Sequence, residues 1–418
     1  MFNKKILLAA SFHLIFAAIL YLMLYQFNII TTFPTESNVL NWDAEWFNSI
    51  RLGGYEFKAK EICNLAFFPL FPYFWKWTWL NGIGISILNY VIFMFAIAYL
   101  LKHKELHYLF LLCVFSTASF IFFALPYSES LFFLFSTLIL RGYQENKRLN
   151  LIAGFFLASL VRSVAMIFVP AILICTLFSI KLNFNKRVLF TMFYSIMASL
   201  SGLFISAFVQ YWQTHTWFYF LTVQKMWGRE WMSPSFPLTS TYPERTLGLD
   251  GVAFVVGIAA IYFCFKYAFF FSKALIRRRQ IDFVIEPMVF FSMIFLAGTT
   301  LLDTCFTFKI GFSSNIWSIN RHILCSPFYI AFLIWLYKNY QPSKLEKIFF
   351  SSLIFSGIYL TGVYQYPNLT LYYLLFFFAF YLFKYWPSYS TYLVLFFFFS
   401  TLLQLLCYQD FFRHLWIG

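Results

Sequence analysis

Acidic residues are among the scarcest groups in this chain: Asp and Glu together number 16 in 418 residues, and all charged residues make up only 11%. A soluble domain of this length needs far more charged surface to stay dispersed, so that class is excluded. Cysteine spacing is equally uninformative. Cys63, Cys113, Cys175, Cys264, Cys305, Cys325 and Cys407 are scattered without C-x-x-C pairs and mostly within apolar runs, which reads as buried thiols. No Walker A sequence, G-x-G-x-x-G, H-E-x-x-H or nucleophile elbow is present. His103 and His107 lie i, i+4, but in a basic turn, and read as solvated side chains. Gly/Ser linkers, low-complexity tails and internal repeats are missing too, as are inverted halves with matching broken helices, so a solenoid and a repeat-built transporter are disfavoured.

What remains is apolar and aromatic. Hydrophobic residues make up 61% and aromatics 25%, with 62 Phe. An all-α polytopic membrane protein follows, as a single domain over residues 1–418 with about 11–13 transmembrane helices. Ile6 to Ile30 is too long for a signal-peptide core and lacks a small-residue cleavage site, so it reads as a retained first helix. The remaining spans are expected at 80–101, 106–125, 127–141, 149–161, 163–180, 187–212, 248–270, 287–302, 321–337, 347–364, 369–384 and 389–408. Segments 149–161 and 163–180 are either two half-length helices meeting at Arg162 or one long helix. Phe376 to Phe378 and Phe396 to Phe399 read as core filler or lipid-facing surface.

The +14 net charge follows topology. With Met1 cytoplasmic, the short cytoplasmic turns hold Lys4, Lys5, Lys102, Lys104, Arg141, Lys147, Arg148, Lys181, Lys186, Arg187, Lys266, Lys273, Arg277, Arg278, Arg279, Lys338, Lys344, Lys347 and Lys384. These are most of the 30 basic residues, as the positive-inside rule requires. Most of the acids fall on the opposite side, where the long segments 31–79, 213–247 and 303–320 also lie. Cys63 and Cys305 share that side, a placement that permits a disulfide.

The first of those segments holds four of the sixteen acids between Asp43 and Glu61, among Trp, Tyr and Phe. On a helical wheel at 100° per residue, Trp42, Trp46, Ile50 and Phe47 span an apolar arc of roughly 140°, with Asp43 inside it. Ala44, Glu45, Asn48, Ser49 and Arg51 cover the remainder. A short interfacial helix of this kind presses Asp43 toward the protein body. Desolvation would raise the pKa of such a carboxylate, which suits a general base. The competing reading is a structural salt bridge to Arg162 or Arg321. Further along, Pro69 and Pro72 argue against a regular helix over Ala66 to Pro72, and the strip reads as packing.

Other polar groups share this side. Glu129 follows Pro126-Tyr127-Ser128 at an expected helix start, where the macrodipole favours a carboxylate. Arg162-Ser163 interrupts an apolar stretch, and an intramembrane Arg marks a candidate site. Gln224, Trp227, Gly228, Arg229 and Glu230 form one polar and aromatic group, and Asn320-Arg321-His322 another. Stacking Trp with hydrogen-bonding Gln and Glu suits a sugar; fixed Arg suits a phosphate.

Trp42-Asp43-x-x-x-Phe47-x-x-Ile50-x-x-x-Gly54-Tyr55, then Ala66-Phe67-Phe68-Pro69-Leu70-Phe71-Pro72, then Pro126-Tyr127-Ser128-Glu129-Ser130, resemble the PIG-V family of mannosyltransferases. Weaker echoes occur at Arg162-Ser163, at Gln224, Trp227 and Arg229, and at Arg321. The chain departs from bacterial relatives at His215-Thr216-Trp217, where a Gly-Asp-Pro-like run is common, and at Val164-Ala165, where Asn-Gly often follows Arg-Ser.

The resemblance implies a GT-C glycosyltransferase fold with its active site on the non-cytoplasmic face. It implies inverting transfer of a hexose, with mannose expected, from a polyprenyl-phosphate donor to a lipid-linked or glycan acceptor. Asp43 would be the general base, with Arg162, Arg229 and Arg321 stabilising the leaving phosphate. Trp42, Glu45, Tyr55, Phe68, Glu129, Gln224 and Trp227 would contact sugar or acceptor. No metal or other cofactor is expected, because a D-x-D element is only approximated by Asp43-Ala44-Glu45. The expected partners are the lipid-linked substrates and membrane lipids, without nucleic acid. Length and the Asn64 to Pro69 run point to a bacterial cytoplasmic membrane, with the endoplasmic reticulum as the alternative. Another sugar, or a non-enzymatic flippase or transporter of lipid-linked sugar, are the competing functions.

Overall fold

A computed structural model describes residues 3–58, 61–182, 186–277, 285–382 and 388–418. The expected turn residues Arg278, Arg279 and Lys384 lie outside them. The chain is helical nearly throughout: α1 Lys4–Gln26, α2 Asp43–Gly53, α3 Leu70–Thr78, α4 Gly82–Leu100, α5 Tyr108–Phe115, α6 Glu129–Glu145, α7 Arg148–Val161, α8 Phe168–Leu182 and α9 Lys186–Thr214. There follow α10 Tyr219–Met226, α11 Pro243–Arg277, α12 Pro287–Cys305, α13 Ile319–Leu324, α14 Pro327–Lys338, α15 Lys344–Leu360, α16 Pro367–Phe377 and α17 Tyr389–Phe412.

Among the described residues, six helices are long and apolar enough to cross a membrane: α1, α4, α9, α11, α12 and α17. A seventh span arises if Ala118–Ala124 and α6, bent 99° to each other, count as one. The protein is therefore an all-α multi-pass membrane protein, but with fewer full-length helices than the 11–13 expected. The difference lies in breaks that hydropathy does not register. The expected span at 106–125 divides into α5 and a 3₁₀ segment at Ala118–Ala124. The one at 321–337 divides where Ser326 caps α14 and Pro327 opens it. At Arg162 the first of the two expected arrangements holds: its backbone is extended (φ −147°, ψ 144°), so α7 and the Ser163–Ile167 3₁₀ turn leading into α8 are half-length elements meeting there.

Close backbone approach fixes α7. A Cβ on Gly154 would stand 2.8 Å from the Phe135 carbonyl oxygen and 2.9 Å from the Ile139 nitrogen of α6. On α9, a Cβ on Gly202 would meet the Phe156 carbonyl oxygen of α7 at 2.5 Å. Small residues at such crossings let helices pack without a hydrophobic drive between them. Since α7 runs directly into Arg162, these contacts set where that guanidinium starts. The Phe runs are mainly core filler: Phe376, Phe377, Phe396 and Phe397 are buried, whereas Phe398 is exposed.

Two expectations about 31–79 change. A helix does form at the second proline, because Pro69 serves as N-cap of α3 and Pro72 sits in its first turn, where amide donors have no intrahelical acceptor. Cys63 and Cys305 are not joined in a disulfide. The other two long connections join each other: β1 Glu230–Trp231 pairs antiparallel with β2 Phe306–Thr307, followed by the small hairpin of β3 Lys309–Ile310 and β4 Ser313–Ser314.

Candidate functional site

The site begins with α2. Asp43 and Glu45 lie in its first turn, Arg51 in its last, and Gly54 (φ +84°) ends it, so charge and cap agree with the helix dipole. Trp42 precedes the helix with φ 60° and ψ −124°, a conformation rare for a bulky side chain. It therefore leaves the wheel on which it was placed. Its ring stacks on His414 with centroids 4.7 Å apart and meets Trp416 edge-on at 5.1 Å. The buried face of α2 is consequently Ala44, Phe47 and Ile50, with Ala44 buried where the wheel predicted the polar side.

Asp43 is neither buried in apolar surroundings nor free. Its side chain keeps 22% exposure, and Oδ2 accepts from Arg321 Nη2 at 2.8 Å. The structural salt bridge is thus present in the geometry. Among the described residues Oδ1 has no partner, so one oxygen is anchored while the other stays open.

Arg321 is the hub of an ion network. Its Nε donates to Glu129 Oε1 at 2.9 Å while Nη2 lies at ion-pair distance, 2.8 Å, from the same oxygen, to which Arg162 Nη1 also donates at 2.7 Å. Phe122 and Tyr127 lie over the guanidinium at 4.9 and 4.8 Å. Burial opposes the charge on Arg321, but the carboxylates of Glu129 and Asp43 outweigh it and hold its pKa above the ordinary arginine value. The position of α13 is set by Asn320, whose backbone N–H and Nδ2 both donate to Asp250 Oδ1 on α11, at 3.2 and 2.7 Å. Asp43, Glu129, Arg162 and Arg321 thus form one group although they come from four separate segments.

Arg229 stands apart. Its guanidinium lies 5.3 Å over the Trp317 ring, and among the described residues no carboxylate reaches ion-pair distance of it. Burial lowers its pKa, against the more distant pull of Asp303 and Asp43. Trp227 meets Phe67 at 6.2 Å and Trp317 at 6.4 Å, while Trp317 meets Trp416 at 5.1 Å. Gln224 has a buried Oε1 without a partner among the described residues. Arg229 and Trp227 therefore share an aromatic wall with Trp42. That wall runs through Trp317 and Trp416.

Not all expected contacts belong here. Tyr55 donates its hydroxyl to the Phe67 carbonyl at 2.8 Å and packs in a satellite cluster with Tyr219 and Val223. Phe68 is buried edge-on against Phe220 at 5.2 Å. Both side chains are engaged in packing contacts in this arrangement. Glu45 is exposed and forms no ion pair or hydrogen bond among the described residues, because its position on α2 turns it away from the buried arc.

No family model matches this chain, and no curated protein and no solved structure matches it.

Three features of the site go beyond what the sequence marks, although His322 stands in the polar group Asn320-Arg321-His322. His322 Nδ1 bonds Asp303 Oδ2 at 2.8 Å, with Asp303 almost fully buried. Burial pushes the His322 pKa down, and Asp303 pulls it up by less. Trp317 and Trp416 complete the wall, and His414 both stacks on Trp42 and bonds Asn41 at 2.9 Å. Asp303, a buried acid on the apolar helix α12, is a further hint in the same place.

Proposed function

We propose that this chain is a membrane glycosyltransferase of GT-C type, similar to the PIG-V family. In this reading it moves a hexose, with mannose as the expected sugar, from a polyprenyl-phosphate donor to the hydroxyl of a lipid-linked or glycan acceptor. The observation that carries the reading is the half-open Asp43 carboxylate, held by Arg321 through one oxygen and set beside tryptophan rings and a carboxylate-free arginine.

The chemistry is a single displacement. The open Oδ1 of Asp43 takes the proton of the acceptor hydroxyl as its oxygen attacks the anomeric carbon. The bond from that carbon to the phosphate oxygen breaks, inverting the centre, and polyprenyl phosphate leaves with the electron pair. Arg229 is the cation best suited to receive that charge, because Arg321 and Arg162 are already matched by Asp43 and Glu129. In the same reading the site faces the non-cytoplasmic side of a bacterial cytoplasmic membrane, opposite the end formed by Lys4, Lys5, Lys102 and Lys104.

Purified protein incubated with radiolabelled polyprenyl-phosphate sugars and membrane lipid extract, with and without EDTA, tests this. Transfer should appear without added metal. Asp43→Asn should abolish it while the protein stays folded in detergent, and Glu45→Gln should be milder. Full activity of Asp43→Asn, or dependence on a nucleotide sugar and a divalent ion, rejects the mechanism.

A further inference from the structure

Buried indole N–H groups usually find an acceptor, and an unpaired one costs ~1–3 kcal/mol. Trp75 follows the rule, donating from Nε1 to the Leu80 carbonyl at 2.9 Å. Trp42, Trp317 and Trp416 do not. In each, Nε1 is buried and meets no acceptor among the described residues. The three rings adjoin, with Trp416 5.1 Å from both others, so the unpaired donors are concentrated in one place. Trp416 is only 4% exposed, and the unpartnered Gln224 Oε1 lies three residues before Trp227, which abuts the same wall.

We propose that Trp42, Trp317 and Trp416 form a sugar subsite beside Asp43, their indole N–H groups and the Gln224 amide hydrogen-bonding the hydroxyls of a pyranose. Flat rings suit its C–H faces, and neutral donors beside an amide suit a polyol, which both donates and accepts. A phosphate only accepts, and its match is the cation Arg229 at the edge of the wall. The further step that this pyranose is the transferred sugar rests on the transferase reading; the subsite itself does not. Its placement depends on the last helix. Arg413, which pairs with Thr31, and His414, which bonds Asn41, fasten the segment carrying Trp416 to the first connection.

The test uses the full chain in detergent, labelled with 5-fluorotryptophan and carrying Asp43→Asn to prevent turnover. Fluorine resonances are followed during titration with methyl α-D-mannopyranoside, and separately with a short-chain polyprenyl-phosphate mannose. Trp42→Phe, Trp317→Phe and Trp416→Phe assign the three signals among the 13 tryptophans. The expected result is a saturable shift of those three resonances with both ligands. In the otherwise unaltered enzyme, Trp317→Phe and Trp416→Phe should each raise donor KM about tenfold with little change in kcat, since each keeps a six-membered aromatic face and loses the indole N–H and its hydrogen bond. If the three resonances stay fixed while either ligand is raised to saturation of its solubility, the subsite is rejected. Transfer activity with unchanged donor KM in both Phe variants also rejects it, while leaving the transferase reading standing. Saturable shifts without transfer from any donor reject the transferase reading and keep the subsite.

Discussion

Replacing Arg321 by Lys tests how the site is held together. The guanidinium reaches Glu129 through Nε and Nη2 and Asp43 through Nη2, all within 2.9 Å. A lysine ammonium keeps the charge but is a single point on a flexible stem and cannot serve both carboxylates in the same geometry. Glu129 is fully buried and retains Arg162, so the ammonium settles there and Asp43 is released. One charge-assisted hydrogen bond is lost, at ~1.5–3 kcal/mol, a factor of roughly 10–150. Two measurements read it. Amide exchange in residues 41–53, followed by mass spectrometry in detergent, should quicken by about tenfold or more, because the first turn of α2 loses its anchor. Sugar transfer should lose kcat/KM by a comparable factor, because the base is no longer oriented. Unchanged exchange in 41–53 together with unchanged transfer would refute the claim that Arg321 positions Asp43.

Two further outcomes are expected. A histidine buried neutral adds stability that is fully present above its unfolded pKa near 6.5 and is lost as pH falls from there toward the lower folded value, because only the unfolded chain then gains the proton. His322→Gln should therefore reduce the fall in detergent melting temperature between about pH 7.5 and pH 5.5, and an unchanged fall would show that His322 does not titrate in that window. Gly154→Ala forces a methyl group against the α6 backbone and should destabilise by ~1–3 kcal/mol, seen as a lower melting temperature, whereas Gly53→Ala, whose Cβ meets only the Glu56 side chain at 3.6 Å, should not.

The members of the ion network are marked in the sequence as charges in a mostly apolar chain, and a pairing of Asp43 with Arg162 or Arg321 is expected from it, but not that Glu129 joins both arginines. Asp43 falls in an apolar arc, Glu129 follows a Pro-Tyr-Ser helix start, Arg162 interrupts an apolar stretch, and Arg321 stands in the polar group Asn320-Arg321-His322. Such residues are costly in an apolar setting unless they meet each other, and they do. Aromatic residues carry no comparable mark. With 62 Phe, 28 Tyr and 13 Trp in the chain, residue type cannot separate a wall of the site from packing: Tyr55 and Phe68, expected to contact substrate, pack against Phe67 and Phe220, whereas Trp317 and Trp416, which no motif marks, adjoin Trp42. Span number failed for another reason. A hydropathy average crosses the Ser116-Thr117 break between α5 and the Ala118–Ala124 turn and the Ser326-Pro327 cap without registering either, whereas the charge of Arg162 marks its break.

The backbone at Trp42 explains why the first connection alone could not reveal the site. Its positive φ costs ~1–3 kcal/mol for a non-glycine residue, and such a conformation persists only where the surroundings over-determine it. The surroundings come from the far end of the chain. Asn41 Nδ2 donates to the Phe411 carbonyl at 2.6 Å, Asn41 Oδ1 meets His414, and the Trp42 ring lies between His414 and Trp416. These contacts turn the chain sharply before α2 and aim the next residue, Asp43, at Arg321. A helix wheel assumes that Trp42 continues the helix and so places its ring beside Trp46; the structure instead uses that residue to couple α2 to the segment after α17. The orientation of Asp43 is therefore a property of two chain segments in contact. Shortening or loosening the connection after α17 should disturb Asp43 as directly as a substitution in α2 itself.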